Sequence, residues 1–186
     1  MRILLALMVL TMGATAHAAS LRINGDGHVE GVDGIVIGTA TYDATFVDGT
    51  CVEIFSGCDE ISDFQLGEAD ALTAATQITD AFTGSAYQHE PDEIVGCTDT
   101  PSICRIAIPW DPSSPATSPN LVTVALTVIQ DDPTLPVTIG VFYEYEMTNA
   151  EVGTFVVLTE VPLPASAWLF VSALVGLLGI GRRRTA

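Results

Sequence analysis

The sequence predicts an α+β domain, with an antiparallel sheet of five or six strands and one helix packed on a face. A separate C-terminal transmembrane helix follows it. Three observations carry this reading. Short stretches alternate apolar and polar residues, the period of a half-buried strand. In one window, 68–82, the apolar residues recur instead at three- and four-residue steps, as on one face of a helix. Finally, 165–180 carries no charge, and Ser166 and Ser172 are its only polar side chains. A β-sandwich with an inserted helix is the alternative arrangement of the same elements.

Taken in order, residues 1–18 read as a secretory signal peptide. Arg2 supplies the positive start, Ile3 to Met12 the apolar core, and Ala16-His17-Ala18 a small-x-small cleavage site. Residues 19–160 then form the exported domain. Asn24 to Gly34 is Gly-rich and reads as a turn region. It lacks the Asp-x-Asp/Asn-x-Asp/Asn-Gly spacing of a calcium loop. Ile35 to Ile37 and Thr41 to Val47 read as strands joined through Gly38-Thr39-Ala40. Tyr42, Ala44 and Phe46 lie on one face of the second strand, and Thr41, Asp43 and Thr45 on the other. Asp48-Gly49 turns into Cys51.

In the helix window, Ala71, Ala75, Ile78 and Phe82 share a face. Glu68 and Asp70 complement the dipole of the first turn, and Gly84 is a stop. Residues 85–103 are polar and turn-rich. Cys104 to Pro109 is a short strand, and Trp110 to Asn120 a Pro- and Ser-rich loop. The strongest strand signals come last, at Leu121 to Gln130, Val137 to Met147 and Thr154 to Glu160. Short turns separate them, which predicts an antiparallel meander. No repeat with a period of 20–50 residues is visible.

The last 26 residues have three parts in fixed order: Val161-Pro162-Leu163-Pro164, the apolar run 165–180, and Arg182-Arg183-Arg184. With its flanks, the run spans about 30 Å as a helix, the thickness of a bilayer core. Trp168 sits at interfacial depth, and the arginines stay on the cytoplasmic side by the positive-inside rule. This order resembles the PEP-CTERM sorting signal of Gram-negative bacteria, in the Val-Pro-Leu-Pro-Ala form, with Leu163 where Glu is usual. The resemblance covers residues 161–186 and implies processing near the Pro motif by an exosortase, an integral membrane thiol enzyme. It also implies a setting of exopolysaccharide or biofilm production. A second stretch is similar to a cysteine-containing region of other PEP-CTERM proteins: Tyr42 to Cys51, then Phe55-Ser-Gly-Cys-Asp59, then the Ala-rich helix. It transfers no catalytic residue.

Charge is segregated. All 23 acidic residues lie between Asp26 and Glu160, against two cations there, Arg22 and Arg105, so the exported part carries a net charge of 2 − 23 = −21. Such a domain will not bind nucleic acid or an anionic membrane surface, because counterion release would run the wrong way. The overall hydrophobic share of 48% overstates the core, since both chain ends inflate it. Four cysteines, Cys51, Cys58, Cys97 and Cys104, fall in the exported part and read as two disulfides. Three connectivities are possible. The shared Cys-x6-Cys spacing favours Cys51–Cys58 and Cys97–Cys104, and it is too wide for a zinc knuckle.

No recognisable catalytic motif stands out; a glycosidase pair among the many carboxylates would be defined by a separation in space that sequence does not show. His28 and His89 lack helical metal-binding spacing, and no Gly-x-Ser-x-Gly elbow occurs. No cofactor or metal is expected. Tyr87, Trp110, Tyr143 and Tyr145 form either a sugar-stacking platform or, for the last two above all, core. The reading is a non-catalytic protein of the cell surface or extracellular matrix. It is exported, anchored in the inner membrane with its domain outside, and released or displayed after exosortase processing. A calcium- or polysaccharide-binding surface module and a small secreted hydrolase are the alternatives.

Overall fold

The computed structural model describes residues 18–55, 57–58, 60–97, 102–112, 121–146 and 153–162. Its strands are β1 (Ser20–Ile23), β2 (Val29–Ile37), β3 (Ala40–Val47), β4 (Ile103–Pro112), β5 (Leu121–Gln130), β6 (Thr138–Glu146) and β7 (Gly153–Glu160). Its helices are α1 (Cys51–Ile54) and α2 (Glu68–Phe82), with single 3₁₀ turns at Ile61–Asp63 and Pro91–Glu93. All seven strands join one sheet in the order β1-β2-β3-β7-β4-β5-β6.

The fold is α+β as the periodicities predict, with corrections. Among the described residues there are seven strands rather than five or six, and they form the single sheet predicted, not the two packed sheets of the alternative. The Gly-rich stretch supplies the difference. Asn24 closes a tight turn by accepting the amides of Asp26 and His28 on its side chain, so β1 and most of β2 pair on either side of it. Gly34 takes a positive φ of 80° where the β2–β3 register shifts, a bulge that lets β2 continue to Ile37.

The meander also differs. β4, β5 and β6 pair antiparallel in succession, but β7 leaves this set and lies between β3 and β4. Its pairing with β3 is antiparallel and long, from Tyr42–Glu160 to Val47–Phe155. Its pairing with β4 is parallel and covers only Arg105–Gly153 to Ala107–Phe155. Beyond that point Pro109 has no N–H to offer, and the strands part.

Both faces of the sheet are covered. On one, α2 buries Ala71, Ala74, Ala75, Ile78 and Phe82 against Val32, Ile35, Phe46, Ile106 and Ile129. Phe82 stacks on Phe46 with ring centroids 6.4 Å apart. Thr127 of β5 is fully buried here. Its hydroxyl donates to the Ala75 carbonyl (3.0 Å) and lies 3.1 Å from that of Thr79, so the polar group is satisfied by the helix itself. On the other face, Cys51, Phe55, Cys58 and Phe64 pack over Ala107 of β4 and Phe155 of β7. Phe55 packs edge-on against Phe64 and Phe155. Thr50 and Glu53 start this segment with a capping box, a signal present in the sequence but not predicted as a helix.

One disulfide serves each face. Cys51–Cys58 belongs to the smaller cluster and Cys97–Cys104 to the main core, the pairing that the spacing favours. Each closes a loop with a sequence separation of seven, for which chain entropy gives about 2.5 kcal/mol. Among the described residues no helix is long and apolar enough to cross a membrane, and the predicted span 165–180 lies outside them, as do residues 1–17 of the predicted signal peptide.

Candidate functional site

The stretch Val161-Pro162-Leu163-Pro164 begins where the sheet ends. β7 pairs with β3 as far as Glu160 opposite Tyr42, and the next amide, Val161 N–H, donates to the Thr41 carbonyl at 2.8 Å. Val161 and Pro162 are exposed. The motif is therefore a direct continuation of a paired strand, without a linker. Leu163, Pro164 and Arg182 to Arg184 lie outside the described residues. Thr41, which fixes the start of the motif through its backbone, carries no signal in the sequence that would have singled it out.

A second constellation is built around Arg22 on β1. Its Nε donates to Glu30 (3.0 Å), its Nη1 to Asp33, and its Nη2 to the Ala44 carbonyl (3.1 Å) and Thr45 Oγ1 (2.9 Å). To reach β3 the side chain crosses β2 over Gly31, where a Cβ would come within 2.1 Å of the Ala44 oxygen and 2.6 Å of Nη2. Gly31 sits with Gly25, Gly27 and Gly34 in the stretch that reads as a turn region, so its sequence setting carries no sign of this close approach. This arrangement ties three strands together, and it occupies the carboxylates of Glu30 and Asp33, two of the three in the calcium-loop-like stretch.

The remaining candidates are dispersed. His28 Nδ1 lies 3.2 Å from Glu93 Oε2, but out of line for a hydrogen bond, so the contact is an ion pair only when the imidazole is protonated. His89 Nδ1 is 3.3 Å from the Gln130 carbonyl. Tyr87 packs against the main core and donates its hydroxyl to the Gly27 carbonyl (3.0 Å), and Trp110 is half-buried against the same core. Among the described residues no three His, Cys, Asp or Glu side chains converge as metal ligands.

Glu53 and Asp132 are held below the usual carboxylate range. For Glu53 the cause is the Thr50 backbone amide, then the Thr50 hydroxyl; for Asp132 it is the Thr134 hydroxyl, then its amide. Both are exposed and belong to local turn chemistry rather than to an acid–base pair.

Comparison of the chain with protein-family models, curated proteins and solved structures returns no match.

Proposed function

We propose that this chain is an exported, non-catalytic surface or matrix protein, held in the inner membrane by a helix over residues 165–180 and processed by an exosortase near Val161-Pro162-Leu163-Pro164. Its setting is the production of exopolysaccharide or biofilm. The observation that carries the reading is the tripartite C-terminal sequence following directly on the last paired strand. The two disulfides agree with an oxidising compartment outside the cytoplasm.

The prolines test the sorting step. In cells that contain an exosortase, changing Pro162 and Pro164 to Ala leaves the chain uncleaved in the membrane fraction, read by the mass of the membrane-bound and released forms. Equal release of the parent and the double variant overturns the role of the motif.

A further inference from the structure

Asn24 is the only asparagine of the chain that a glycine follows; Asn120 precedes Leu121 and Asn149 precedes Ala150. An Asn-Gly pair holds an electrophile and a nucleophile side by side. Glycine has no side chain to shield its nitrogen, and it allows the backbone rotation that ring closure requires. The Gly25 nitrogen attacks Cγ of Asn24, the Cγ–Nδ2 bond breaks, and ammonia leaves with the proton of the Gly25 amide. The cyclic imide that remains is opened by water. Attack at Cγ gives aspartate at position 24. Attack at the main-chain carbonyl gives isoaspartate, whose backbone runs through the former side chain and is one carbon longer.

In the folded domain the pair lies in a fastened turn. Asn24 Oδ1 accepts the amides of Asp26 and His28, both at 3.0 Å. Asn24 N–H donates to the His28 carbonyl (2.9 Å), and Gly27 N–H to the Asn24 carbonyl (3.2 Å). A second segment holds the turn from outside. Tyr87 donates its hydroxyl to the Gly27 carbonyl (3.0 Å), and Val95 N–H donates to the Val29 carbonyl (3.0 Å) where β2 begins. Bringing Cγ onto the Gly25 nitrogen rotates the side chain and takes Oδ1 off both its donors. Gly25 itself is exposed, with no atom within 4 Å of where a Cβ would stand, so packing does not confine it. The hydrogen bonds are therefore the restraint.

We propose that Asn24 is a site of spontaneous deamidation gated by this turn. It stays an amide while the turn is fastened and reacts when the turn opens. The two products differ in consequence. An aspartate at position 24 offers its carboxylate to the same two amides, in charge-assisted bonds, and the turn closes again. Isoaspartate carries its carboxylate directly on Cα and lengthens the chain between Ile23 and Gly25, so the Asn24–His28 pairing falls out of register. β1, an edge strand of four residues paired only with β2, is then held less firmly. Opening of this edge becomes irreversible.

The test incubates the full chain at mildly alkaline pH, either folded or unfolded in urea with its disulfides reduced. Peptide mapping by mass follows conversion at each asparagine, and chromatography separates the aspartyl and isoaspartyl forms. In the unfolded chain Asn24 converts ahead of Asn120 and Asn149, and Gly25→Ala, which adds a Cβ in open space, suppresses it. In the folded chain Asn24 converts at least about tenfold more slowly, because the turn must first open. Tyr87→Phe keeps the ring and removes only the hydroxyl that holds Gly27. That variant converts about two- to tenfold faster than the parent when folded, the effect of one lost hydrogen bond, and at the parent's rate when unfolded. Folded and unfolded parent converting alike, or Tyr87→Phe no faster than the parent when folded, overturns the gating. A Gly25→Ala variant that converts like the parent overturns the site itself.

Discussion

Every nitrogen of the Arg22 guanidinium is engaged, on partners contributed by β2 and β3, and the arrangement exists only because position 31 lacks a side chain. Gly31→Ala forces the Ala44 carbonyl and the guanidinium apart. The expected cost is about 2–3 kcal/mol, read as a lowered urea midpoint. Arg22→Lys does not restore the arrangement, because an ammonium cannot serve four acceptors spread over a planar fork.

Glu53 gives a pH-dependent counterpart. Its carboxyl lies below the value of 4.5 it has in the unfolded chain, held there by the Thr50 amide and hydroxyl. Its contribution is therefore present above that value and is lost as pH falls through the lower, folded value. The difference in urea midpoint between the parent and Glu53→Gln narrows as pH falls from about 5 to about 3. A constant gap across that range contradicts the assignment.

At the scale of elements, two glutamines stand in for missing strand neighbours. Gln77 of α2 donates to the Val36 carbonyl (2.8 Å) and accepts the Val36 amide (2.9 Å), where β2 runs on past β1. Gln65 does the same for Leu158, at 2.8 Å in both directions, where β7 and β4 part beyond Phe155. A primary amide reproduces the donor–acceptor pair of a peptide group, so each side chain closes an open stretch of strand edge. Gln65→Ala leaves both Leu158 groups to find water in a half-buried gap and costs about 1–2 kcal/mol. Hydrogen exchange at the Leu158 amide rises in that variant, while exchange at Val36 stays as it was. A uniform rise at both amides points to general loosening instead.

α2 was legible over its full length, because a three- and four-residue period survives whatever it packs against. β3 and β5 were legible for the same reason at period two. The pairing of β7 was not, since strand order is set by contacts far apart in sequence, and the one local hint, Pro109, says only where pairing stops. Nor were the glutamines, which look like ordinary polar surface residues in any sequence. The cysteine pairs could be read from spacing, whereas Gly31 is one of several glycines in a stretch that reads as a turn, and the tie between Val161 and Thr41 rests on backbone groups alone.

For the molecule as a whole, the charge of residues 19–160 acts on stability in a way that no single contact displays. Arg22 answers two carboxylates and leaves most of the others without a cation. Mutual repulsion among them is long-ranged and screened by salt. The urea midpoint should therefore rise as sodium chloride goes from about 10 mM to about 300 mM, over which the Debye length falls from about 30 Å to about 6 Å. A flat or falling midpoint would mean that the carboxylates are too well separated and solvated for repulsion to register.

The position of β7 bears on when this domain can take shape. β1 to β3 and β4 to β6 are two separate ribbons until residues 153–160 come between them. Those eight residues are the last to be synthesised before the apolar tail. The sheet of the nascent chain thus stays unfinished until its final strand arrives, and closure waits on nearly the whole domain having been made.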